Sequence, residues 1–335
     1  MARVLLLPVL RVKLSMNKTH IEHKTPHQVT IRREIRIEGV GLHSGKAASL
    51  TLKPALPNTG ILFVRKDLSQ PVAIPASFEF VTQTVLATTL GRGEARISTV
   101  EHLLSAFRLM GVDNALVEVD GPEVPIMDGS AGPFCDAIQA AGFFDQSVAK
   151  KVAVLKKRIE VRKGDKIALI EPANALSIHA RIEWNHPVIR TQELSFTVGR
   201  SDHREIARAR TFGFLKDVSA LQAKGLIQGG SYDNAIVLDE SSVVNPGGLR
   251  YPDEFVRHKV LDAIGDFALA PIPIVGNVTL HKAGHELHAE LVHSIFSSTD
   301  NYEVKTLDEI RAPMDASLAA VSALFRGFRP LQGSF

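Results

Sequence analysis

The chain has one cysteine, Cys135, among its 335 residues. A disulfide within the chain therefore cannot form, and a reducing compartment is the simpler interpretation. Metal sites built from thiolates need several cysteines and are excluded for the same reason. Any metal ion that this protein holds must be bound by His, Asp or Glu.

A strong excess of charge is also lacking. The chain contains 39 Lys and Arg against 36 Asp and Glu, for a formal net charge of +3, and the basic residues are spread along it. A nucleic-acid-binding protein usually concentrates its positive charge in a patch or stripe. We therefore expect no nucleic acid among the partners.

No opening stretch is both long and apolar enough to cross a bilayer. The first ten residues are basic and apolar, but Pro8 interrupts them and no small-residue cleavage site follows. Residues 1–26 contain one acidic residue, Glu22, so an organelle-targeting leader stays open, as does a start at Met16. We expect no transmembrane segment, no secretion, and a flexible N-terminal extension outside the fold.

The composition otherwise describes a folded protein. Apolar residues make up 45% of the chain and charged residues 22%, far from the composition of disordered chains. Because 335 residues exceed one compact core of usual size, we expect two domains. The pattern puts them at 27–147 and 148–325, followed by a tail at 326–335.

Strands and two helices are predicted for the first domain. Alternating apolar runs bounded by Gly, Pro and Asn predict antiparallel strands at Val29–Ile31, Ile35–Ile37, Ala48–Leu52 and Ile61–Val64. The segment Gly39–Gly45 fits a hairpin turn better than a dinucleotide-binding loop, because its glycine spacing is wrong and strands surround it. Ser98–Glu101 has the pattern of a capping box that opens a helix ending at Gly111, and Phe134–Ala141 predicts a second helix.

The second domain resembles the first in its order of elements. Strands are predicted at Ile159–Val161, Ile167–Ile170 and Leu176–Trp184, with helices near 203–209, 216–224 and 254–268. Glu101-His102 and Arg257-His258 occupy similar places on helices in the two domains. The pattern alone leaves open whether the fold is duplicated.

The helix at 254–268 carries a polar stripe suited to metal binding. His258, Asp262 and Asp266 recur every four residues and so project from one face. Successive members rise about 6 Å along the helix axis, so all three cannot bind one ion. We expect His258 and Asp262 to act as ligands and Asp266 to support another residue.

Simpler interpretations exist for each of these residues. His258 and Asp262 would also make a surface ion pair, and Glu101 is explained by helix capping. His102 would fit a buried, hydrogen-bonded histidine. In Gly284–His288 the histidine spacing is not that of zinc proteases, and we interpret His285 as an acid candidate and His288 as incidental.

Four motifs together resemble the UDP-3-O-acyl-N-acetylglucosamine deacetylase family. They are Ser98–His102, Pro125–Ser130, Ala209–Gly213 and Val256–Asp266, with further similarity at Gly39–His43, Gly229–Ser231 and Gly284–His285. The similarity runs in order over about residues 28 to 305. It implies an α+β fold of two similar domains, each a mainly antiparallel sheet packed with two helices (a β-α-α-β sandwich), with the active site between them.

The resemblance also implies a reaction and its residues. Members of the family are cytoplasmic and release acetate from a UDP-linked, 3-O-hydroxyacylated amino sugar, the committed step toward lipid A. The matching positions are His102, His258 and Asp262 for the zinc ligands, Glu101 for the general base, His285 for the general acid, Thr211 for the oxyanion and Asp266 for orienting His285. One Zn(II) per chain is expected, Fe(II) is an alternative, and we expect a monomer.

Substrate contacts are predicted less directly. Lys259 and Lys166 are candidates for the diphosphate. Phe212, Leu226 and Ile227 belong to the glycine-rich apolar segment 211–236 that follows Thr211, and we expect this segment to hold the acyl chain. The alternative is that its apolar side chains complete the core, which is an equally good interpretation of Leu221.

The chain departs from the family at a few positions, and two rival functions stay open. The extension before Gln28 is unusual, Trp184 replaces another aromatic residue, and His288 replaces a neutral one. Two histidines and a carboxylate are also the ligands of non-haem iron oxygenases, although Glu101 and His285 favour hydrolysis. A catalytically silent UDP-sugar or lipid-binding module is the second rival.

Overall fold

The structure is a computed structural model that describes residues 25–310. The tail at 326–335 and all but the last two residues of the N-terminal extension lie outside the described residues. The strands are β1 (His27–Ile31), β2 (Ile35–Val40), β3 (Ala47–Pro54), β4 (Ile61–Arg65), β5 (Val72–Pro75), β6 (Val81–Gln83), β7 (Thr89–Arg92), β8 (Ala95–Ile97), β9 (Ala115–Val119), β10 (Phe143–Ala149), β11 (Lys151–Leu155), β12 (Ile159–Lys163), β13 (Lys166–Glu171), β14 (Leu176–Trp184), β15 (Arg190–Thr197), β16 (Phe212–Phe214), β17 (Ile236–Leu238), β18 (Ile274–His281) and β19 (Tyr302–Thr306). The helices are α1 (Glu101–Met110), α2 (Gly132–Ala141), α3 (Arg204–Ala207), α4 (Leu215–Ala223), α5 (Glu254–Phe267) and α6 (His285–Phe296), with a 3-10 turn at Phe78–Phe80.

The first half of the chain forms a five-stranded sheet in the order β2-β3-β9-β4-β5. All of its neighbouring strands are antiparallel except β4 and β9. Along β3 the side chains of Leu50 and Leu52 are buried while their neighbours are partly exposed, as expected for a sheet with one covered face. They share a core with the apolar stripe of α1, including Leu103 and Phe107.

The second half repeats this topology. Its sheet contains the order β12-β13-β18-β14-β15, and among these five strands again only the third pair, β18 and β14, is parallel. In each half a helix (α1 or α5) precedes the central strand (β9 or β18), and a second helix (α2 or α6) follows it. The predicted α+β class with two similar units is therefore confirmed, and the strand order establishes the duplication that the pattern left open.

Helices α1 and α5 pack against each other where the two halves meet. A Cβ atom on Gly265 would lie 2.0 Å from the carbonyl oxygen of Glu101, so only glycine allows the two backbones to approach this closely. This contact brings the first turn of α1, which carries Glu101 and His102, against the polar stripe of α5.

Two local predictions need correction. The helix at 101–110 is present, but the capping box is not, because α1 begins at Glu101 with no side-chain cap and Ser98 instead accepts a hydrogen bond from Thr89. The helix α6 was not predicted, because its first residues were considered only as a histidine motif. Within residues 25–310 no helix is long and apolar enough to cross a membrane.

Candidate functional site

Three buried side chains from the two halves converge beside the α1–α5 contact. His102 lies on α1, and His258 and Asp262 lie one turn apart on α5. Asp262 Oδ1 is 3.5 Å from His102 Nε2 and 3.2 Å from His258 Nε2. One ligand atom from each residue lies within 4.8 Å of the others, and the three residues are 1 to 3% exposed.

The donor atoms of this cluster fit a metal ion. Zinc–ligand bonds of about 2.0–2.2 Å in a tetrahedron separate neighbouring ligand atoms by about 3.3–3.6 Å, close to the two separations measured from Asp262. Asp262 Oδ1 is buried with no hydrogen-bond partner within residues 25–310. A buried carboxylate oxygen without a partner is costly unless something cationic binds it.

The residues around the cluster prepare two of these donors. His258 Nδ1 lies 3.0 Å from the Ala209 carbonyl oxygen, and a proton donated there leaves Nε2 unprotonated. Burial lowers the pKa of His258 to about 3 even though Asp262 opposes the shift, so the ring is neutral. Lys259 Nζ donates a hydrogen bond to Asp262 Oδ2 at 2.9 Å, which compensates the charge of the carboxylate and leaves Oδ1 free.

Glu101 lies next to the cluster and is 3% exposed. Its Oε2 accepts a hydrogen bond from the Thr88 backbone N–H at 3.1 Å, and its Oε1 is 3.9 Å from His285 Nε2. Burial raises the pKa of Glu101, and the charges of His285 and His102 offset part of the rise. A carboxylate with a raised pKa next to a candidate metal can exchange a proton with water.

His285 is held by Asp266. The ring donates from Nδ1 to Asp266 Oδ2 at 2.7 Å, so Nε2 faces Glu101. Burial alone would lower the pKa of His285, but the charge of Asp266, its hydrogen bond and the charge of Glu101 raise it to about 10. The ring is therefore protonated near neutral pH.

His288 is part of the same arrangement, so the interpretation of it as incidental is wrong. It is 1% exposed, and its Nδ1 lies 2.8 Å from the same Asp266 oxygen that binds His285. The other oxygen of Asp266 accepts a hydrogen bond from the Thr88 hydroxyl at 2.6 Å. Because these hydrogen bonds occupy both Asp266 oxygens, this second group of His and Asp side chains is a hydrogen-bond network and not a second metal site.

Thr211 lies beside the cluster on a chain segment fixed from both sides. Its N–H donates to the Gly129 carbonyl at 2.8 Å, and its carbonyl accepts from Ile236 at 2.7 Å. Gly129 has a φ of +83°, and a Cβ there would lie 2.1 Å from the Asn234 carbonyl oxygen, so glycine is required at this crossing. The Thr211 hydroxyl has no recorded hydrogen bond in the described part of the chain.

A buried ion pair anchors the same segment to the start of α5. Arg210 pairs with Glu254 at 2.9 Å, and Glu254 is fully buried. The Arg210 backbone N–H also donates to this carboxylate. The pair therefore links Ala209 and Thr211, on either side of Arg210, to the helix that carries His258.

The predicted substrate residues lie at different distances from the cluster. Phe212 packs edge-on against the rings of Trp184 and His258, with centroids 5.4 and 6.5 Å apart, and Lys259 Nζ lies 5.4 Å from its ring centre. Lys166 is exposed at the β12–β13 turn, and no partner is recorded for its ammonium within residues 25–310. Its role as a diphosphate contact stays a prediction.

The middle of the apolar segment after Thr211, residues 215–230, lies outside the core. No residue of α4 is buried, and Leu221, Leu226 and Ile227 are half-buried. The interpretation of Leu221 as a core residue is therefore wrong, whereas Phe212 and Phe214 do pack against the core. A half-exposed apolar surface of this kind is available to another molecule.

This segment is docked on the hairpin turn of the first half. Gln228 and Gly229 donate backbone hydrogen bonds to the carbonyls of His43 and Leu42, at 3.1 and 3.0 Å. A Cβ on Gly229 would lie 2.3 Å from the Gly41 carbonyl oxygen. The predicted turn at Gly39–Gly45 is thus confirmed, and it supports the segment from the other half of the molecule.

Comparison with known proteins identifies the family. Residues 28–297 match the family profile described as UDP-3-O-acyl N-acetylglycosamine deacetylase. The chain is 52% identical to the UDP-3-O-acyl-N-acetylglucosamine deacetylase of Myxococcus xanthus (strain DK1622) over 279 residues, covering 83% of this chain and 89% of the relative.

The chain belongs to this family. It is also 48% identical to the enzyme of that name from Anaeromyxobacter sp. (strain Fw109-5) over 297 residues, 88% of this chain and 95% of the relative. The enzyme of that name from Haemophilus influenzae (strain PittGG) is 44% identical over 302 residues, which cover 89% of this chain and 99% of the relative. The family expected from the motifs is confirmed, and every residue of the cluster lies within the matched range.

Proposed function

We propose that the protein hydrolyses the N-acetyl group of UDP-3-O-(3-hydroxyacyl)-N-acetylglucosamine and releases acetate, in the cytoplasm, as the committed step toward lipid A. Family membership supports the substrate, because the relatives carry its name. The observation that carries the chemistry is the pair Glu101 and His285, whose side chains face each other 3.9 Å apart beside three convergent metal-ligand candidates.

His102, His258 and Asp262 would hold the metal, and we propose Zn(II). A bound zinc ion supplies a water with a pKa of about 7 and a Lewis acid for the acetamide oxygen. The same two histidines and carboxylate suit Fe(II) as well, so metal analysis has to decide the ion. Asp262 Oδ1, which is buried without a hydrogen-bond partner among residues 25–310, and His258 Nε2, which is left unprotonated by the hydrogen bond of Nδ1, are the best-prepared donors.

Glu101 would act as the general base. Its raised pKa comes from burial, and it has one free oxygen because Thr88 occupies only Oε2. Oε1 is therefore the atom that takes the proton of the attacking water. Since Glu101 neighbours His102 in the chain, it would lie close to a bound ion without having to be a ligand.

His285 would act as the general acid through Nε2. Asp266 orients the ring through Nδ1 and favours its protonated form, so Nε2–H is available to the nitrogen of the leaving sugar. His288 and Thr88 hold Asp266 in turn. The Thr211 hydroxyl, which lacks a recorded partner in residues 25–310, would donate to the oxygen that becomes negative during attack.

The remaining contacts concern substrate binding. We propose that the half-buried side chains of Leu226 and Ile227 line the path of the acyl chain. Phe212 and Lys259 would contact the substrate near the metal, although Lys259 also holds Asp262. Lys166 is proposed as a diphosphate contact. It begins β13, and the next residue, Ile167, pairs with His281 at the end of β18. His281 precedes His285 by four residues, so Lys166 lies on the strand end that leads toward the proposed acid.

Acetate release tests this function directly. Purified protein, analysed for metal, is incubated with the acylated UDP-N-acetylglucosamine, and acetate and oxygen consumption are both followed. Acetate without oxygen uptake is expected. Oxygen uptake would favour an iron oxygenase, and binding with no product in metal-loaded protein would favour a silent binding module, so either result would refute the proposal.

A further inference from the structure

A cavity lies between the two halves, at the end of the α1–α5 pair away from the metal cluster. Its volume is about 360 Å³, within the lower range of small-molecule sites. Arg108 in its wall follows Glu101 by seven residues, which places it about 10 Å further along α1. Phe267, at the last residue of α5, lies at the end of that helix away from His258. The cavity is therefore separate from the metal cluster.

One part of the cavity wall is apolar and rigid. Leu104 and Phe107 of α1 and Phe267 of α5 line it, and each is at most 3% exposed. Pro271 and Ile272, in the loop that leads to β18, complete this side. A ligand with an apolar body would bury it against fixed side chains.

Positive charge predominates among the ionisable residues of the cavity. Arg108, Lys150 and Lys151 line it together with a single acid, Asp113, which gives three positive charges against one negative. Lys150 Nζ pairs with Asp113 at 2.9 Å. Arg108 and Lys151 are the cations that remain for a ligand.

Arg108 is the exceptional residue of this wall. It is half-buried, yet its guanidinium has no recorded hydrogen bond or ion pair within residues 25–310. Other polar side chains of the same wall do have partners, since Asn114 donates a hydrogen bond to Gln28 at 2.9 Å. Burial lowers the pKa of Arg108, and the charge of Asp113 only partly opposes this. A partly desolvated guanidinium with no partner is costly, and an anion would relieve that cost.

We propose that this cavity binds a small organic carboxylate. The carboxylate would accept two hydrogen bonds from the planar fork of Arg108, while its apolar body packs on Pro271, Ile272 and Phe267. Such a ligand bridges the helix that carries Glu101 and His102 and the loop that follows the helix of His258. Binding therefore stabilises the pairing of the two halves on which the metal cluster depends.

Calorimetry with hexanoate tests the site in the full-length, metal-loaded protein. Hexanoate is expected to bind, and Arg108→Gln should weaken it about tenfold or more, the usual effect of losing a charge-assisted hydrogen bond. Arg36→Gln, which removes an exposed arginine outside the cavity, is the matched control and should leave binding unchanged. Hexanol and hexylamine should bind far more weakly, because neither carries negative charge.

Two further measurements locate the ligand. Ala270→Leu narrows the cavity without touching Arg108 and should also weaken hexanoate. The metal-ligand variant His102→Ala should retain hexanoate binding if the ligand lies in the cavity. A carboxylate bound to the catalytic metal would instead be lost together with the metal. Unchanged affinity in both Arg108→Gln and Ala270→Leu, or affinity that disappears only in His102→Ala, would overturn the proposal. Neither outcome depends on whether the protein is a deacetylase.

Discussion

At the scale of single residues, the candidate centre depends on donors that are left free by their neighbours. Lys259 occupies one oxygen of Asp262, and the Ala209 carbonyl occupies one nitrogen of His258. The remaining atoms point at a common position. The same holds for Glu101 and His285. Thr88 binds Oε2 of Glu101 and Asp266 binds Nδ1 of His285, which leaves Oε1 and Nε2 for the reaction.

The first prediction concerns the metal ligands. Replacing His102, His258 or Asp262 by Ala removes one of three donors, so each variant should lose most of its bound metal, as measured by elemental analysis of the purified protein. His179→Ala, at a half-buried histidine on β14 that is bonded to Ser195, is the control and should keep its metal. Full occupancy in all three ligand variants would show that the ion binds elsewhere.

The second prediction concerns Glu101→Gln. The amide oxygen can still accept the Thr88 hydrogen bond, but the side chain can no longer accept a proton. Turnover should fall about 10²- to 10⁴-fold, with metal content and circular dichroism unchanged. A variant that works at nearly the normal rate would remove Glu101 from the mechanism.

The third prediction separates two histidines that share Asp266. His285→Ala should lower turnover about 10²- to 10⁴-fold, because the proposed acid is lost. His288→Leu should lower the free energy of unfolding by about 1.5–3 kcal/mol, the value of a hydrogen bond to a charged group, and reduce turnover less than tenfold. Denaturant unfolding and steady-state rates measure both effects, and equal losses of turnover would mean that His288 has a catalytic role as well.

At the scale of elements, α5 organises the site, whereas the segment after Thr211 is built differently. Glu254 in the first turn of α5 holds Arg210, and the next turns supply His258 and Asp262. Helix α4 is different, because it buries none of its residues, and the chain that follows it donates backbone hydrogen bonds from Gln228 and Gly229 to the opposite half.

The fourth prediction follows from this half-exposed segment. Leu226→Trp or Ile227→Trp should lower kcat/KM for a long-chain substrate far more than for an analogue with a truncated acyl chain, because each buried methylene contributes about 0.8 kcal/mol. Leu56→Trp, at a residue that is 79% exposed, should change neither value. Equal losses for the two substrates would point to a general effect on folding.

At the scale of the whole molecule, the two halves of a duplicated fold meet through equivalent helices. Each half supplies an incomplete ligand set, one histidine from α1 and a histidine with a carboxylate from α5. The site therefore exists only while the halves are held in register, and Gly265 is where their backbones come closest.

The fifth prediction tests this dependence. Gly265→Ala places a methyl group 2.0 Å from the Glu101 carbonyl oxygen, so α1 and α5 must move apart. Overpacking of this kind costs about 1–3 kcal/mol or more, and metal affinity should fall together with the melting temperature. Gly247→Ala, where a Cβ meets no atom within 4 Å, is the control, and a Gly265 variant that resembles it would contradict the argument.

Much of the local structure followed from short-range rules. The alternating runs that became β2, β3 and β4, and the apolar stripe ending at Gly111, are properties of neighbouring residues, because side-chain direction repeats with a period of two or 3.6 residues. Gly111 indeed ends α1 with a φ of +73°. The capping box did not form, because the Ser98 hydroxyl accepts a hydrogen bond from Thr89 on the paired strand β7, a contact that a rule limited to four consecutive residues does not contain.

The sequence by itself determined the residue types of the site, the family that its motifs resemble and the helices that present His102 and His258. Only the tertiary structure decided that Asp266 is shared by His285 and His288, that Leu221 lies outside the core, and that the two halves have the same strand order. The physical reason is that these contacts join residues far apart in the chain. The energies of these contacts depend on how closely distant segments approach each other, as they do at Gly265. That distance is set by the folded structure and cannot be read from any single segment of the sequence.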